Sequence, residues 1–291
     1  MTTVPPAYRV PLPDPLTDLL GKHLPDLPDH QLSVTKAQLA AEAAERCRAA
    51  LAGAPDAWAL IQHLRDLLDD GQGEGFAVLT TAPLLDHHGL DDGLTAITVV
   101  LSCLATPVKT NDDQPLWNRL DADGSPLHID AVRAPRPPDY TAFLCIRPDP
   151  RGGGLSLVSP IRRAVSRLTG DERLLLARPH ETGTTTVTGP VLGMFSVLDP
   201  TLPPPDRFIR FNPHTLLKNA GPADPHTRAL QALGRELTAL QRRMRLDFGD
   251  LLITNQHLSA HGHGAVGGFQ HHIPAHQRRQ MWRIHLRTFT P

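Results

Sequence analysis

The hydrophobic pattern in the first third of the chain predicts helices that lead into a strand. The segment TKAQLAAEAAERCRAALAG opens with Thr35 and Gln38 at capping-box spacing and stops at a glycine, so a helix is expected over 36–52. A second helix is expected from Pro55, because proline suits the first helical position. The run GFAVLTT at 75–81 predicts a strand, and the apolar stretch at 94–108 predicts a buried helix.

The remaining pattern alternates between strands and one amphipathic helix. The short runs PLHID, YTAFLCIR and GLSLVS, separated by proline and glycine, are typical of antiparallel β structure. A helix is expected over 224–245, capped by Asp224, and its apolar face comprises Leu230, Leu233, Leu237, Leu240 and Met244. The runs DLLIT and MWRIHLRTF predict the last strands. The expected fold class is therefore α+β with a mainly β core.

Length and composition indicate one domain over residues 1–291. The 29 prolines among 291 residues suit a loop-rich β fold. We expect a helical preface over about 1–74 and a β core over about 75–290. Residues 176–206 combine strand-like runs with DPTLPPPD, which suits a lid-like insertion over a site.

The charge pattern favours small-molecule chemistry over macromolecular partners. The formal net charge is −1 and no long run of like charge occurs, so neither nucleic acid nor an anionic membrane is an expected partner. The apolar stretch at 94–108 is shorter than the roughly 18 residues that span a bilayer. The first 30 residues contain seven prolines and no signal-peptide pattern, and three scattered cysteines suit a reducing compartment, so a cytoplasmic location is expected.

A His-x-Asp tripeptide is the first candidate for chemistry. His128 and Asp130 project to the same side if they lie on a strand, and with a second imidazole they would form the facial triad of non-haem Fe(II) oxygenases. Such tripeptides occur once or twice by chance in a chain with 16 histidines and 30 acidic residues. The second imidazole is offered by GDLLITNQHLSAHGHGAV, which contains His257, His261 and His263. The alternative is a solvated or surface metal-binding histidine tract.

Two arginines near the end of the chain add an anion-binding signal. Arg279 and Arg283 lie four residues apart on an expected strand and so share a face. A guanidinium fork binds a carboxylate through two parallel hydrogen bonds, as an organic-acid cosubstrate would require. The alternative is a pair of rim charges on an edge strand.

The order of these features resembles the clavaminate synthase-like and TauD-like family of Fe(II)/2-oxoglutarate-dependent oxygenases. The resemblance covers about residues 75–290 and is densest in two blocks, LHIDAVRAPRPPDYTAFLCIRPDPRGGGLSLVS and GDLLITNQHLSAHGHG…RRQMWR. It implies a double-stranded β-helix, also called a jelly-roll or cupin-like barrel, with flanking N-terminal helices and a helix before the last strands.

The resemblance also implies roles for individual residues. His128, Asp130 and His261 match the iron ligands, while Ser156 and Arg279 match the residues that bind the distal carboxylate of 2-oxoglutarate.

Further matches and departures concern the rest of the site. Arg283 matches a second arginine near the cosubstrate or substrate, and Arg133 is a further candidate for substrate binding, as is Arg136. The family's arginine after His-Gly is replaced by His263, and AVGGFQHHIPAHQ lengthens the spacing from His261 to the arginine. The choices of His261 over His263 and of Arg279 over Arg278 therefore stay open.

The implied activity is a dioxygenase that couples oxidative decarboxylation of 2-oxoglutarate by O2 to oxidation of an unactivated C–H bond. A carboxylate at Asp130 favours hydroxylation or desaturation, since related halogenases have a small residue there. The wording PPDYTAFLCIRP favours an amino-acid-like metabolite in natural-product biosynthesis. Alternatives are a sulfonate-type catabolic dioxygenase, a non-catalytic jelly-roll binding protein and a zinc hydrolase. The sequence does not determine the oligomeric state.

Overall fold

The helices and strands follow the expected order along the chain. The computed structural model describes residues 4–23, 41–108, 124–181, 193–199, 209–217, 221, 224–268 and 270–288. Its α-helices are α1 (Asp14–His23), α2 (Ala41–Ala52), α3 (Pro55–Asp69), α4 (Ala82–Leu104), α5 (Ile161–Ser166), α6 (Gly170–Leu176), α7 (Pro213–Leu216) and α8 (Pro225–Leu240). Its strands are β1 (Arg9–Pro11), β2 (Phe76–Thr80), β3 (Thr106–Val108), β4 (Ser125–His128), β5 (Tyr140–Arg147), β6 (Ser156–Pro160), β7 (His180–Glu181), β8 (Met194–Phe195), β9 (Arg242–Met244), β10 (Asp250–Asn255), β11 (Ser259–His263) and β12 (Gln280–Arg287).

Two sheets form the centre of the molecule. The larger sheet has six strands in the order β1-β2-β10-β5-β12-β3, and the smaller has four in the order β4-β11-β6-β9. All pairings within them are antiparallel except the parallel pair of β1 and β2. Strands β7 and β8 form a separate two-stranded sheet.

Alternation along the strands separates an outer face from an inner face. In β5, Tyr140, Ala142 and Leu144 belong to a core shared with helices α1–α4, whereas Cys145 and Phe143 point to the other side. Helices α5–α8 cover the outer face of the four-stranded sheet in the same way. The inner faces of both sheets meet in an apolar cluster. The polar residues that point inward between the sheets are therefore candidates for a functional site.

Most predicted elements are confirmed, with two corrections. The helix predicted over 224–245 ends at Leu240, and Met244 lies on β9 instead, where it faces the inter-sheet cluster. The preface over 1–74 is not wholly helical, because β1 joins the edge of the larger sheet. The buried helix expected at 94–108 is the second half of α4, which bends at Gly89 (φ 77°) and is followed by β3.

Two predictions fall partly outside the described residues. Residues 36–40 of the first predicted helix lie there, as do 182–192 and 200–206 of the lid-like insertion. Within the described part of the chain, no helix is both long enough and apolar enough to cross a membrane.

Candidate active site

Three polar side chains converge on the inner face of the smaller sheet. His128 ends β4, Asp130 follows two residues later, and His261 lies opposite His128 on β11. One candidate ligand atom from each residue lies within 4.8 Å of the other two. His128 Nε2 is 3.6 Å from Asp130 Oδ1, and His261 Nε2 is 3.2 Å from Asp130 Oδ2. These three residues could hold one metal ion.

A sharp turn, and not strand pleating alone, brings Asp130 beside His128. The strand expected over 126–130 ends at His128, which corrects the prediction that Asp130 lies on it. Fully buried Ile129 packs into the outer cluster, and its N–H donates to Phe211 O at 2.9 Å. Ala131 then adopts a left-handed conformation (φ 51°), which reverses the chain after the carboxylate.

The Asp130 carboxylate is buried and held by several donors. It is 7% exposed, Thr141 Oγ1 donates to Oδ2 at 3.1 Å, and His285 Nε2 lies 3.0 Å from the same oxygen. Arg283 Nη1 lies 3.4 Å from Oδ1. Burial raises the pKa of this carboxyl, but the charges of His261, Arg283 and His285 outweigh burial and lower the pKa well below its ordinary value. Asp130 is therefore ionised and available as an anionic ligand.

The two imidazoles are in the form that binds a metal. His128 Nδ1 lies 2.7 Å from Pro126 O, and because a carbonyl only accepts, Nδ1 carries the proton and Nε2 keeps its lone pair. Burial lowers the pKa of His261 to about 4, although Asp130 opposes the shift, so the ring is neutral near pH 7.

The buried ring of His261 also supplies a test of whether a metal ion fits. Its Nδ1 has no hydrogen-bond partner within the described part of the chain, and its Nε2 has only the 3.2 Å contact with Asp130 Oδ2, which does not complete a hydrogen bond. Because a buried polar atom without a partner is costly, a metal bound at Nε2 would satisfy it. Two imidazoles and one carboxylate are the donor set of non-haem Fe(II) oxygenases, so the residues fit Fe(II).

A cavity extends from His128 and His261 towards Arg279. The space among its lining residues is about 490 Å³, part of it open to solvent, and the lining includes His128, His261, Ser156, Arg279 and Arg283. The guanidinium of Arg279 makes no hydrogen bond or ion pair with any described residue, and burial lowers its pKa although Cys145 and Asp149 oppose this. A largely buried cation that has no partner among the described residues is a candidate site for an anion.

Gly154 allows Arg279 its position. Gly154 has a φ of 63°, and a Cβ built on it would lie 2.7 Å from both Cδ and Nε of Arg279. Any other residue would strain the backbone and displace the arginine. The side chain of Arg279 therefore packs against the glycine-rich turn before Ser156.

The structure separates the two pairs that the sequence left open. Arg278 Nε donates to Ile273 O at 2.8 Å, and Arg278 does not line the cavity. His263 lines the cavity, but its Nδ1 lies 3.0 Å from Gly264 O and it stands apart from the three clustered ligands. Geometry therefore favours His261 and Arg279.

Of the three candidates for substrate binding, Arg283 lines the cavity, whereas Arg133 and Arg136 do not. Arg283 lies on β12 with its side chain in the cavity and beside Asp130. Arg133 follows the turn after Asp130 and is not part of the cavity lining. The turn itself is held by Arg210, whose guanidinium donates to the carbonyls of Val132 and Ala134, both at 2.7 Å, and of Pro135 at 3.0 Å.

Sequence reasoning missed the residues that surround Asp130. Thr141 and His285 face it from neighbouring strands, and Gln256 Oε1 accepts a hydrogen bond from its backbone N–H at 2.5 Å. His285 had a readable signal, because it lies two residues after Arg283 and so on the same face of β12. Gln256 lies in a turn, and no hydrophobic or strand pattern predicted its contact with Asp130.

Comparisons with known proteins agree with this geometry. The family model described as "Taurine catabolism dioxygenase TauD, TfdA family" matches residues 59–285. No curated protein matches the chain by sequence. A solved asparagine oxygenase, in complex with Fe(II), 2S,3S-3-hydroxyasparagine and succinate, is 18% identical, with a TM-score of 0.72 over 97% of this chain and 94% of that one. The non-haem iron oxygenase OrfP in complex with Fe is 16% identical, with a TM-score of 0.68 and the same coverage of both chains.

The structural likeness establishes a shared mixed α+β fold, and the family match establishes the class of enzyme. The family model spans more than two thirds of the chain. The matched residues include the three clustered ligands, Arg279 and Arg283. The expectations of an Fe(II) cofactor and a 2-oxoglutarate cosubstrate are confirmed. The chain belongs to the taurine catabolism dioxygenase TauD, TfdA family and is an Fe(II)- and 2-oxoglutarate-dependent dioxygenase.

Proposed function

We propose that this dioxygenase hydroxylates or desaturates an unactivated C–H bond of a small amino-acid-like metabolite in natural-product biosynthesis. One observation carries the proposal: His128 and His261, two of the three clustered ligands, line the same cavity as Arg279, whose guanidinium has no partner among the described residues. A facial triad would leave three metal positions open for cosubstrate, substrate and O2. We infer that residues 1–291 act as one domain around this site, with the two sheets as a jelly-roll.

Each of the protein's own groups has a part in this activity. His128, Asp130 and His261 would hold Fe(II), and Arg279 with Ser156 would bind the distal carboxylate of 2-oxoglutarate. Bound together, iron and 2-oxoglutarate supply the oxidising power by consuming O2 and releasing succinate and carbon dioxide. Phe143 and Met281 line the cavity with apolar surface, which excludes water from the reacting groups.

The substrate's acid group has a candidate partner in Arg283. Its guanidinium lies in the cavity four residues from Arg279, so one arginine would hold the cosubstrate and the other would orient the substrate. Arg133 lies outside this cavity and would contact only a longer substrate. The solved neighbours support an amino-acid substrate, because one is an asparagine oxygenase and another, OrfP, has been solved with L-Arg.

A sulfonate substrate is the second candidate, and the family description favours it. Arg283 would bind a sulfonate as readily as a carboxylate, since both are oxyanions. Succinate release with a panel of free amino acids and of taurine-like sulfonates separates the two. Turnover of sulfonates alone would replace the amino-acid proposal.

The site assignment is tested by anaerobic titration of the protein with Fe(II) and 2-oxoglutarate. We expect the visible charge-transfer band of the chelate in the wild type and its loss in Asp130→Ala. Arg279→Ala should require far more 2-oxoglutarate to develop the band, while Arg278→Ala should match the wild type. A normal titration of Arg279→Ala would overturn the assignment of the cosubstrate arginine.

A further inference from the structure

The segment between His263 and Arg279, which the resemblance marks as longer than the family pattern and which we call the added segment, is fastened to the glycine-rich turn. At its start, Gly264 N–H donates to Leu155 O at 2.8 Å and Gly154 N–H donates to Ala265 O at 2.7 Å. The two backbones lie close together, since a Cβ on Gly153 would lie 2.2 Å from Gly267 N. The segment therefore packs behind the glycine-rich turn and not in the lining of the cavity.

Asp149 fastens the middle of this segment. Its carboxylate is 3% exposed and accepts from Gly267 N at 2.6 Å and from Gln270 Nε2 at 3.1 Å, both in the added segment. It also accepts from Arg151 N at 3.0 Å within its own turn. A buried carboxylate with several N–H donors is a strong and directional tie.

The far end of the segment is fastened just before the cosubstrate arginine. Arg147, at the end of β5, donates from Nη1 to Arg278 O at 3.0 Å, and Arg278 Nε donates back to Ile273 O. The next residue is Arg279, whose side chain rests on Gly154. Arg279 is thus positioned by its contact with Gly154 and by the bond from Arg147 to Arg278 O. Both contacts adjoin the turn that Asp149 holds.

We propose that the described residues of the added segment, 264–268 and 270–278, support the glycine-rich turn of the 2-oxoglutarate pocket and that Asp149 is the positioning residue that sets Arg279. The proposal rests on the assignment of Arg279 to the distal carboxylate of 2-oxoglutarate. Asp149 does not line the cavity of the metal ligands; it acts by keeping the segment and the glycine turn together. Its negative charge also lies within electrostatic reach of the guanidinium and favours the charged form.

The test compares Asp149→Asn and Asp149→Ala with the wild type in two separate binding measurements. Anaerobic titration of the Fe(II)-loaded protein with 2-oxoglutarate should give a dissociation constant raised about tenfold in Asp149→Ala, as expected when outer contacts of a site are lost. Asp149→Asn keeps one acceptor oxygen and should lie between. Co(II) affinity without 2-oxoglutarate should be unchanged, because the metal ligands are on other strands.

Controls separate positioning from general loss of stability. Asp250→Asn removes an equally buried carboxylate that binds Arg9 and does not line the cavity, so it should lower the melting temperature without changing 2-oxoglutarate affinity. If Asp149→Ala does not fold, Gln270→Ala removes one hydrogen bond to Asp149 and one to Gly267 O and should raise the dissociation constant about two- to threefold.

The outcomes distinguish this inference from the proposed function. Wild-type 2-oxoglutarate affinity in folded Asp149→Ala, or in Gln270→Ala when Asp149→Ala does not fold, would overturn the role of Asp149. Wild-type affinity in Arg279→Ala would instead overturn the proposed site, whatever Asp149 does. Equal weakening of Co(II) and 2-oxoglutarate binding would reduce Asp149 to a general structural residue and also contradict the proposal.

Discussion

His128 and His261 lie directly opposite each other in the pairing of β4 with β11, and their ring centroids are 4.7 Å apart. This register places both imidazoles on the inner face of the sheet, where Asp130 joins them after the turn. One antiparallel pair thereby supplies two of three ligands, and an irregularity in pairing after His261 sets His263 apart from them.

The first prediction concerns the two histidines of β11. His261→Ala should lower Co(II) affinity by more than about 100-fold, beyond the range produced by outer contacts, because it removes a ligand from the cluster. His263→Ala should keep wild-type Co(II) affinity, since its ring lies outside the cluster. Isothermal titration of the metal-free protein checks this, and the opposite ranking would exchange their roles.

The second prediction concerns His285, which lies 3.0 Å from Asp130 Oδ2. His285→Ala should weaken Co(II) binding by about 10- to 100-fold, because the carboxylate loses a group that orients it. His257→Ala is the matched control, since His257 bonds to a different buried carboxylate, that of Asp139, at 2.8 Å. Equal Co(II) affinity in the two variants would contradict a role for His285 at the site.

The third prediction uses two glycines of one turn. Gly152 and Gly154 both have positive φ, but a Cβ on Gly152 meets nothing within 4 Å, whereas one on Gly154 meets Arg279. Alanine at either position should cost about 1–2 kcal/mol of folding free energy. Only Gly154→Ala should also weaken 2-oxoglutarate binding, measured by anaerobic titration. Equal losses of 2-oxoglutarate affinity in the two variants would contradict the role assigned to the contact between Gly154 and Arg279.

The fourth prediction concerns the stability of the metal-free protein in acid. Burial lowers the pKa of His261 from 6.5 to about 4 in the folded state. Between these values the unfolded chain binds the proton and the folded chain does not, so falling pH favours unfolding. The free energy of unfolding should drop by up to about 3 kcal/mol as pH falls from 6.5 to 4. Below pH 4 this contribution should level off.

Denaturant unfolding at a series of pH values measures that slope. His261→Gln carries no titrating ring and should show a shallower loss of stability between pH 6.5 and 4. Asp130 acts in the same direction at the acid end of this range, because its pKa is lowered in the folded state and the unfolded carboxyl begins to bind protons below about pH 5. The comparison is therefore made between pH 6.5 and about 5. Parallel slopes for the two proteins would show that His261 is not responsible.

The sequence predicted the elements well where local pattern decides them. Helix α8 begins as expected because Asp224 accepts from Thr227 N at 2.8 Å, and β5 alternates between helix-facing and inward residues. The pattern could not fix where β4 ends, because the turn at Ala131 depends on a distant contact of Ile129 with Phe211.

The site was predictable only in its type. The clustering of His128, Asp130 and His261 agrees with the predicted ligand set, and their role in binding iron stays a prediction. The order of residues along the chain does not reveal which of two adjacent arginines faces inward. The contact between Arg279 and Gly154 in the structure identifies Arg279. The ties of Asp149 to the added segment were likewise unreadable, since they join residues more than 100 positions apart.

The short strand β1 has a consequence for the solution behaviour of the protein. It pairs with β2, and Arg9 anchors it through two hydrogen bonds to Asp250. Strand β1 therefore covers the edge of β2 at residues 78–80. Unpaired strand edges recruit strands from other chains. A shortened protein that begins after residue 13 would expose β2 and should self-associate in a concentration-dependent way.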